Sequence, residues 1–131
     1  MTKQRELAFI GMASVLGLLL LAVSYLRLPY DQARLPTALS PVGLGWLGLV
    51  AALSGLARVA RPWACCLTLA AAVPATVILR IVADVSSDPT RHNLWPFEVG
   101  LGMGVGLFHV LPAFWIARAL RTLWQARRAS G

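Results

Sequence analysis

Acidic residues are scarce in this chain: there are five among 131, against twelve lysines and arginines, and only 13% of all residues are charged. So little charge cannot clothe a water-soluble domain, whose surface usually carries roughly a quarter to a third charged residues. Cysteine is confined to the adjacent pair Cys65-Cys66. That excludes a disulfide framework, and it lacks the two-residue spacer of a dithiol redox motif, so both are expected to be small packing residues. No GxSxG, P-loop, HExxH or four-ligand zinc spacing occurs. Their absence removes the common soluble-enzyme chemistries and leaves no catalytic residue and no metal site to name.

What the chain has instead is apolar length. Hydrophobic residues make up 58% of it and the mean hydropathy is positive. Four segments, at about 7–26, 37–57, 63–83 and 97–117, each approach the roughly 20 residues that cross a bilayer core as helix. The expected fold is an all-α membrane protein, one domain over residues 1–131, with four transmembrane helices in an antiparallel up-down bundle. Lys3 and Arg5 ahead of an apolar run, with Ala22-Val23-Ser24 after it, also suit a secretory signal. The run is longer than a signal core, which favours an uncleaved first helix.

Orientation follows from the basic residues. Lys3, Arg5, Arg58, Arg61, Arg118, Arg121, Arg127 and Arg128 share one side with a single acid, Glu6; Arg27, Arg34, Arg80 and Arg91 share the other with Asp31, Asp84, Asp88 and Glu98. The positive-inside rule then places both termini in the cytoplasm, makes residues 118–131 a basic cytoplasmic tail, and puts residues 84–98 outside as a cap. A basic excess of this distribution points to a lipid bilayer and not to nucleic acid. Most of the tryptophans and tyrosines fall near span ends, as amphipathic rings do at headgroup depth.

Two features stand out within the spans. The fourth holds Gly100, Gly102, Gly104 and Gly106, giving two overlapping small-xxx-small frames for close helix packing, with Gly43, Gly45, Gly48 and Ala52 of the second span as the natural counterpart. His109 is the one ionisable residue near a span centre. Eleven positions after Glu98, it returns to within about 20° of the same face, so Glu98, Gly102, Val105, His109 and Pro112 form a stripe. Arg80 and Asp84 are stacked at i and i+4, with Arg80 expected to snorkel to the outer interface. Pro74 and Pro112 are expected as kinks. His109 is expected to bond a neighbouring helix. No cofactor is expected; haem between two copies of His109 is the weaker alternative, since His92 lies in the external connection.

That connection, DPTRHNLWPFE over Asp88–Glu98, reads as a short ordered cap. Asp88-Pro89 favours a turn, Asn93 can bond its own backbone, and Pro96 and Glu98 suit the first turn of a helix. The segment resembles one found in small, uncharacterised four-helix membrane proteins of bacteria, and the resemblance covers little beyond residues 84–100. It implies a bacterial inner-membrane location and no activity. Small multidrug exporters carry a membrane-embedded glutamate in helix one and fluoride channels a TTFST-like run; neither is present.

The binding or docking candidates are therefore Arg80, Asp84, Asp88, Arg91, His92, Asn93, Trp95, Glu98 and His109. The expected function is non-enzymatic association, as a homo-oligomer or as an accessory subunit of a membrane complex. The alternative is a small transporter or channel with a polar path around Glu98, His109 and the Arg80/Asp84 pair.

Overall fold

The structure, a computed structural model, describes residues 3–130. Met1, Thr2 and Gly131 (the last residue of the expected tail) lie outside the described residues, as does the side chain of Lys3, one of the charges used for orientation. The described chain is helical and carries no strand: α1 Lys3–Tyr25, a 3-10 turn Tyr30–Gln32, α2 Pro41–Ala57, α3 Pro62–Ala70, α4 Ala72–Ser87 and α5 Trp95–Ala129. Three spans are long and apolar enough to cross a membrane: α1, the 26-residue run of α3 with α4, and α5.

The second expected span is shorter than the sequence suggested. Ser40 caps α2 by accepting the Gly43 N–H at 3.4 Å, and Pro41 takes the first helical position, where its missing donor costs nothing. Residues 37–39 therefore form a turn. With 17 residues α2 is roughly 25 Å long, under the roughly 30 Å of a hydrocarbon core. Arg58, in the left-handed conformation at φ 58, ends it. By contrast α5 continues through Arg118 to Ala129, because nothing between Pro112 and Ser130 opposes helix. The expected tail is thus mostly helical, and Gln125 on it accepts a bond from Arg58 Nη2 at 2.8 Å.

Contacts fix the antiparallel order. At one end the Glu6 carboxylate of α1 accepts the Ala60 N–H of the α2–α3 connection at 3.2 Å. At the other, Arg80 of α4 donates to the Tyr25 carbonyl of α1 at 2.8 Å. We call this second end, which also carries residues 26–40 and 88–94, the cap end. Between the ends the core is apolar, with Leu21, Leu47, Leu69, Val73, Val77, Val110 and Phe114 fully buried. Trp46 Nε1 of α2 donates across to the Ala13 carbonyl of α1 at 2.9 Å, and Thr76 donates to the Ala72 carbonyl of its own helix at 2.8 Å. Cys65 and Cys66 are buried and unbridged.

Proline and glycine are linked across the bundle. Pro74 has no N–H for the carbonyl of Ala70, and the helix breaks at Ala71 between α3 and α4. Gly106 of α5 packs on that freed carbonyl so closely that a β-carbon there would collide with the Ala70 oxygen; one at Gly102 would meet Pro74 Cα at 3.3 Å. Gly100 and Gly104 have nothing within 4 Å of a β-carbon and lie exposed. Only one of the two glycine frames therefore serves the bundle. Its partner is the α3–α4 break and not α2, whose close approach to α5 is made by Gly55, packed on the Phe114 carbonyl.

Gly106→Ala should lower thermal stability in detergent, by about 1–3 kcal/mol or several degrees, since backbone must shift to admit the methyl. Gly104→Ala, into open space, should leave the melting temperature unchanged. Equal melting temperatures for the two variants would contradict the assignment of frames.

Candidate functional site

The cap end collects the charged residues, and local rules explain how each arrives. Tyr25 is the last residue of α1, so its carbonyl carries the negative end of the helix dipole and takes only one long backbone bond, from the Leu28 N–H at 3.4 Å. Arg80, on the face of α4 turned to α1, adds a shorter bond through Nη1, and its Nε donates to Asp84 Oδ2 at 2.6 Å. The guanidinium also lies 5.7 Å from the centroid of the Tyr25 ring. Arg80 is only 4% exposed. It does not snorkel outward as its place near a span end suggested, because the Tyr25 carbonyl and the Asp84 carboxylate that it bonds lie inward.

His92 completes the cluster. It adopts the left-handed conformation at φ 60, tolerated by histidine more than by most residues, and so reverses the chain between α4 and α5 with its ring pointing in. Nε2 lies 2.9 Å from Asp84 Oδ2 and Nδ1 lies 2.6 Å from Glu98 Oε2, with the side chain 5% exposed. An imidazole bonded at both nitrogens to carboxyl groups needs a donor at each: it is an imidazolium, or one of the acids holds the shared proton. With Arg80 and two carboxylates, the imidazolium form gives a charge-balanced set of two cations and two anions. Glu98 stands in the first turn of α5, where the dipole favours a carboxylate.

Outside this set, Asp88 caps the start of the connection. Its Oδ1 accepts from the Thr90 hydroxyl at 2.7 Å and the Thr90 N–H at 3.0 Å, and those bonds hold its carboxyl below the usual range. Arg91 lies 3.4 Å from Asp88 and 5.1 Å from the Tyr30 ring centroid. Tyr30 in turn meets the His92 ring edge-on at 5.1 Å. Asn93 and Trp95 are exposed and join none of these bonds. A cavity of about 350 Å³ opens beside the cluster, lined by Tyr30, Asp31, Arg34, Phe97, Glu98 and Leu101 among others. Tyr25 closes its inner side, its hydroxyl donating to the Ala33 carbonyl at 3.3 Å.

His109 belongs to neither cluster nor cavity. Its Nδ1 donates to the Val105 carbonyl of its own helix at 2.9 Å, not to a neighbouring helix, and its ring packs against exposed Phe108. The buried face of α5 runs through Gly102, Gly106, Val110 and Phe114. The stripe from Glu98 to Pro112 follows the edge of that face and lines no common space. Among the described residues no group of three histidine, cysteine or acidic side chains converges as metal ligands do; Asp84 and Glu98 occupy different nitrogens of the same ring.

The structure thus brings four of the expected candidates together, Arg80, Asp84, His92 and Glu98, with the ring of His92 turned in from the connection between α4 and α5. Sequence reasoning missed Tyr25, Tyr30, Asp31 and Arg34 as neighbours of the site, having assigned the tyrosines to headgroup depth alone. No family model, no characterised protein and no solved structure matches this chain. The site must be interpreted from its own geometry.

His92→Ala should cost roughly 2–3 kcal/mol in unfolding experiments, because it removes the hydrogen-bond partner of Glu98 and one of the two partners of Asp84, which keeps Arg80. Adding Glu98→Gln should recover part of the loss, a non-additivity that a double-mutant cycle in detergent would measure. A smaller effect concerns Asp88. Its carboxyl is held below the ordinary 3.8, so its contribution is complete above that value and disappears as the pH falls through the lower folded value. Asp88→Asn should flatten this acid limb of the melting profile.

Proposed function

We propose that this protein works by association, as a homo-oligomer or as an accessory subunit of a bacterial inner-membrane complex, and performs no chemistry of its own. One observation carries the proposal: His92 commits both ring nitrogens to holding α4 against α5, while Arg80 ties α4 to α1. The groups best suited to move protons or bind ions are thus used to fasten three helices. Beneath them Leu21, Val73, Val77 and Val110 are fully buried and apolar.

The positive-inside distribution supports termini in the cytoplasm and a cap end facing outward. Contact surfaces remain available there and on α5, where Gly100 and Gly104 form an exposed small-residue frame of the kind that lets a second helix approach. The transport alternative would need Glu98 and His109 on one path; the bond of His109 to the Val105 carbonyl of its own helix gives that alternative no support. Haem would need a second copy to bring another His109.

In mild detergent and in native nanodiscs the protein should run above monomer mass, or crosslink to a co-purifying membrane protein. Gly100→Leu combined with Gly104→Leu should weaken that assembly without lowering the melting temperature. A monomer in both settings with no crosslinked partner would refute the proposal.

A further inference from the structure

The cavity at the cap end holds charges that the fold does not use. Asp31 and Arg34 line it, are exposed, and have no side-chain partner among the described residues. Glu98 presents a carboxylate, 27% exposed, of which only Oε2 is engaged, by His92. The cavity thus offers two carboxylates, of which Glu98 already shares Oε2 with the lining His92, and one guanidinium, and its volume lies within the range of small-ligand sites, roughly 300–1,000 Å³. A ligand that satisfies both signs is a zwitterion. It needs a group that donates several hydrogen bonds to carboxylates and an anion that accepts from a guanidinium, which pairs with phosphate through two parallel N–H groups.

The rest of the wall indicates where such a zwitterion comes from. Phe97 and Leu101 line the same cavity and are 69% and 37% exposed, so its polar interior runs out onto the apolar outward face of α5. Trp95, 55% exposed, and Tyr30, 44% exposed, mark this level as the depth at which amphipathic rings meet headgroups. On these grounds, and resting on the membrane interpretation of the helices but not on the association proposal, we propose that the cavity binds the headgroup of an aminoethyl phospholipid. The primary ammonium is taken by Glu98 and Asp31, the phosphate by Arg34, and the acyl chains leave past Phe97 and Leu101. A choline headgroup makes the first of these contacts by charge alone, because a quaternary ammonium has no N–H to donate to the carboxylates. A glycerol headgroup brings no positive charge to it.

The test is thermal stability and native mass spectrometry of the detergent-purified full chain with phosphatidylethanolamine, phosphatidylcholine or phosphatidylglycerol of matched acyl chains, and with water-soluble glycerophosphoethanolamine. Phosphatidylethanolamine should bind about tenfold more tightly than the other two lipids and raise the melting temperature most. The soluble headgroup should bind much more weakly. Asp31→Asn should abolish the preference and Arg34→Ala should weaken binding of all three lipids alike; neither removes a contact within the fold, so both should leave the unliganded melting temperature unchanged. Equal binding of the three lipids, a preference that survives Asp31→Asn, or undiminished binding by Arg34→Ala would overturn the site. Soluble headgroup binding as tightly as the lipid would overturn the lipid as its occupant. Recovery of the protein in the soluble fraction would overturn the membrane premise, a failure separate from loss of selectivity.

Discussion

A single imidazole, bonded at both nitrogens to carboxyl groups from two different helices, is the constraint on which the cap end depends. Asp84 and Glu98 are each poorly placed alone. Asp84 lies in the last turns of α4, where the helix dipole opposes a negative charge, and both acids are largely withdrawn from water. His92 and Arg80 offset that cost together, and neither does so alone: Arg80 reaches Asp84 but not Glu98. Such a network is weak evidence of large net stabilisation, since desolvation cancels much of the attraction. Its effect is geometric. These bonds link α1, α4 and α5 to one another, so a shift of any of the three helices at this end would break at least one of them.

Toward the centre of the bundle the linkage is made without charge. Where lipid surrounds the helices, apolar side chains gain little from preferring one another to acyl chains, and close backbone approach with local hydrogen bonding must supply the specificity. Pro74 creates a carbonyl without a partner at Ala70, and Gly106 is the residue that can reach it, with a weak Cα–H contact available to the oxygen. Gly55 approaches the Phe114 carbonyl in the same manner. A proline on one helix and a glycine on another thus act as a pair: the first exposes a backbone acceptor, and the second removes the side chain that would stand before it.

The helical architecture was legible because hydropathy reports length directly, and α1, the α3–α4 run and α5 follow from it. The start of α2 was legible in principle, in the Ser40-Pro41 cap, but the apolar residues before it extended the apparent span. At the site, Arg80 and Asp84 announce themselves by their spacing, and Glu98 by its place after Pro96. His92 does not. Nothing in RHNLW indicates a positive φ at the histidine, and without it the ring points to solvent. The glycine frames show the same limit: four glycines at alternating positions define two faces, and only the unpaired carbonyl on another helix decides which one is used.

That limit bears on how polar residues in apolar chains are interpreted. An ionisable group near a span centre, such as His109, invites a functional reading, yet this one is satisfied by its own helix. The groups at the cap end have different standing. Arg80, Asp84 and His92 are engaged with one another and need no ligand, and Glu98 is engaged through Oε2 alone, whereas Asp31 and Arg34 lie beside them without a structural task. A fold that needs only to connect α1 to α2 gains nothing from opposite charges lining one cavity. The distinction between charges that close the structure and charges left over once it is closed is what directs attention to the cavity and away from the middle of the bundle.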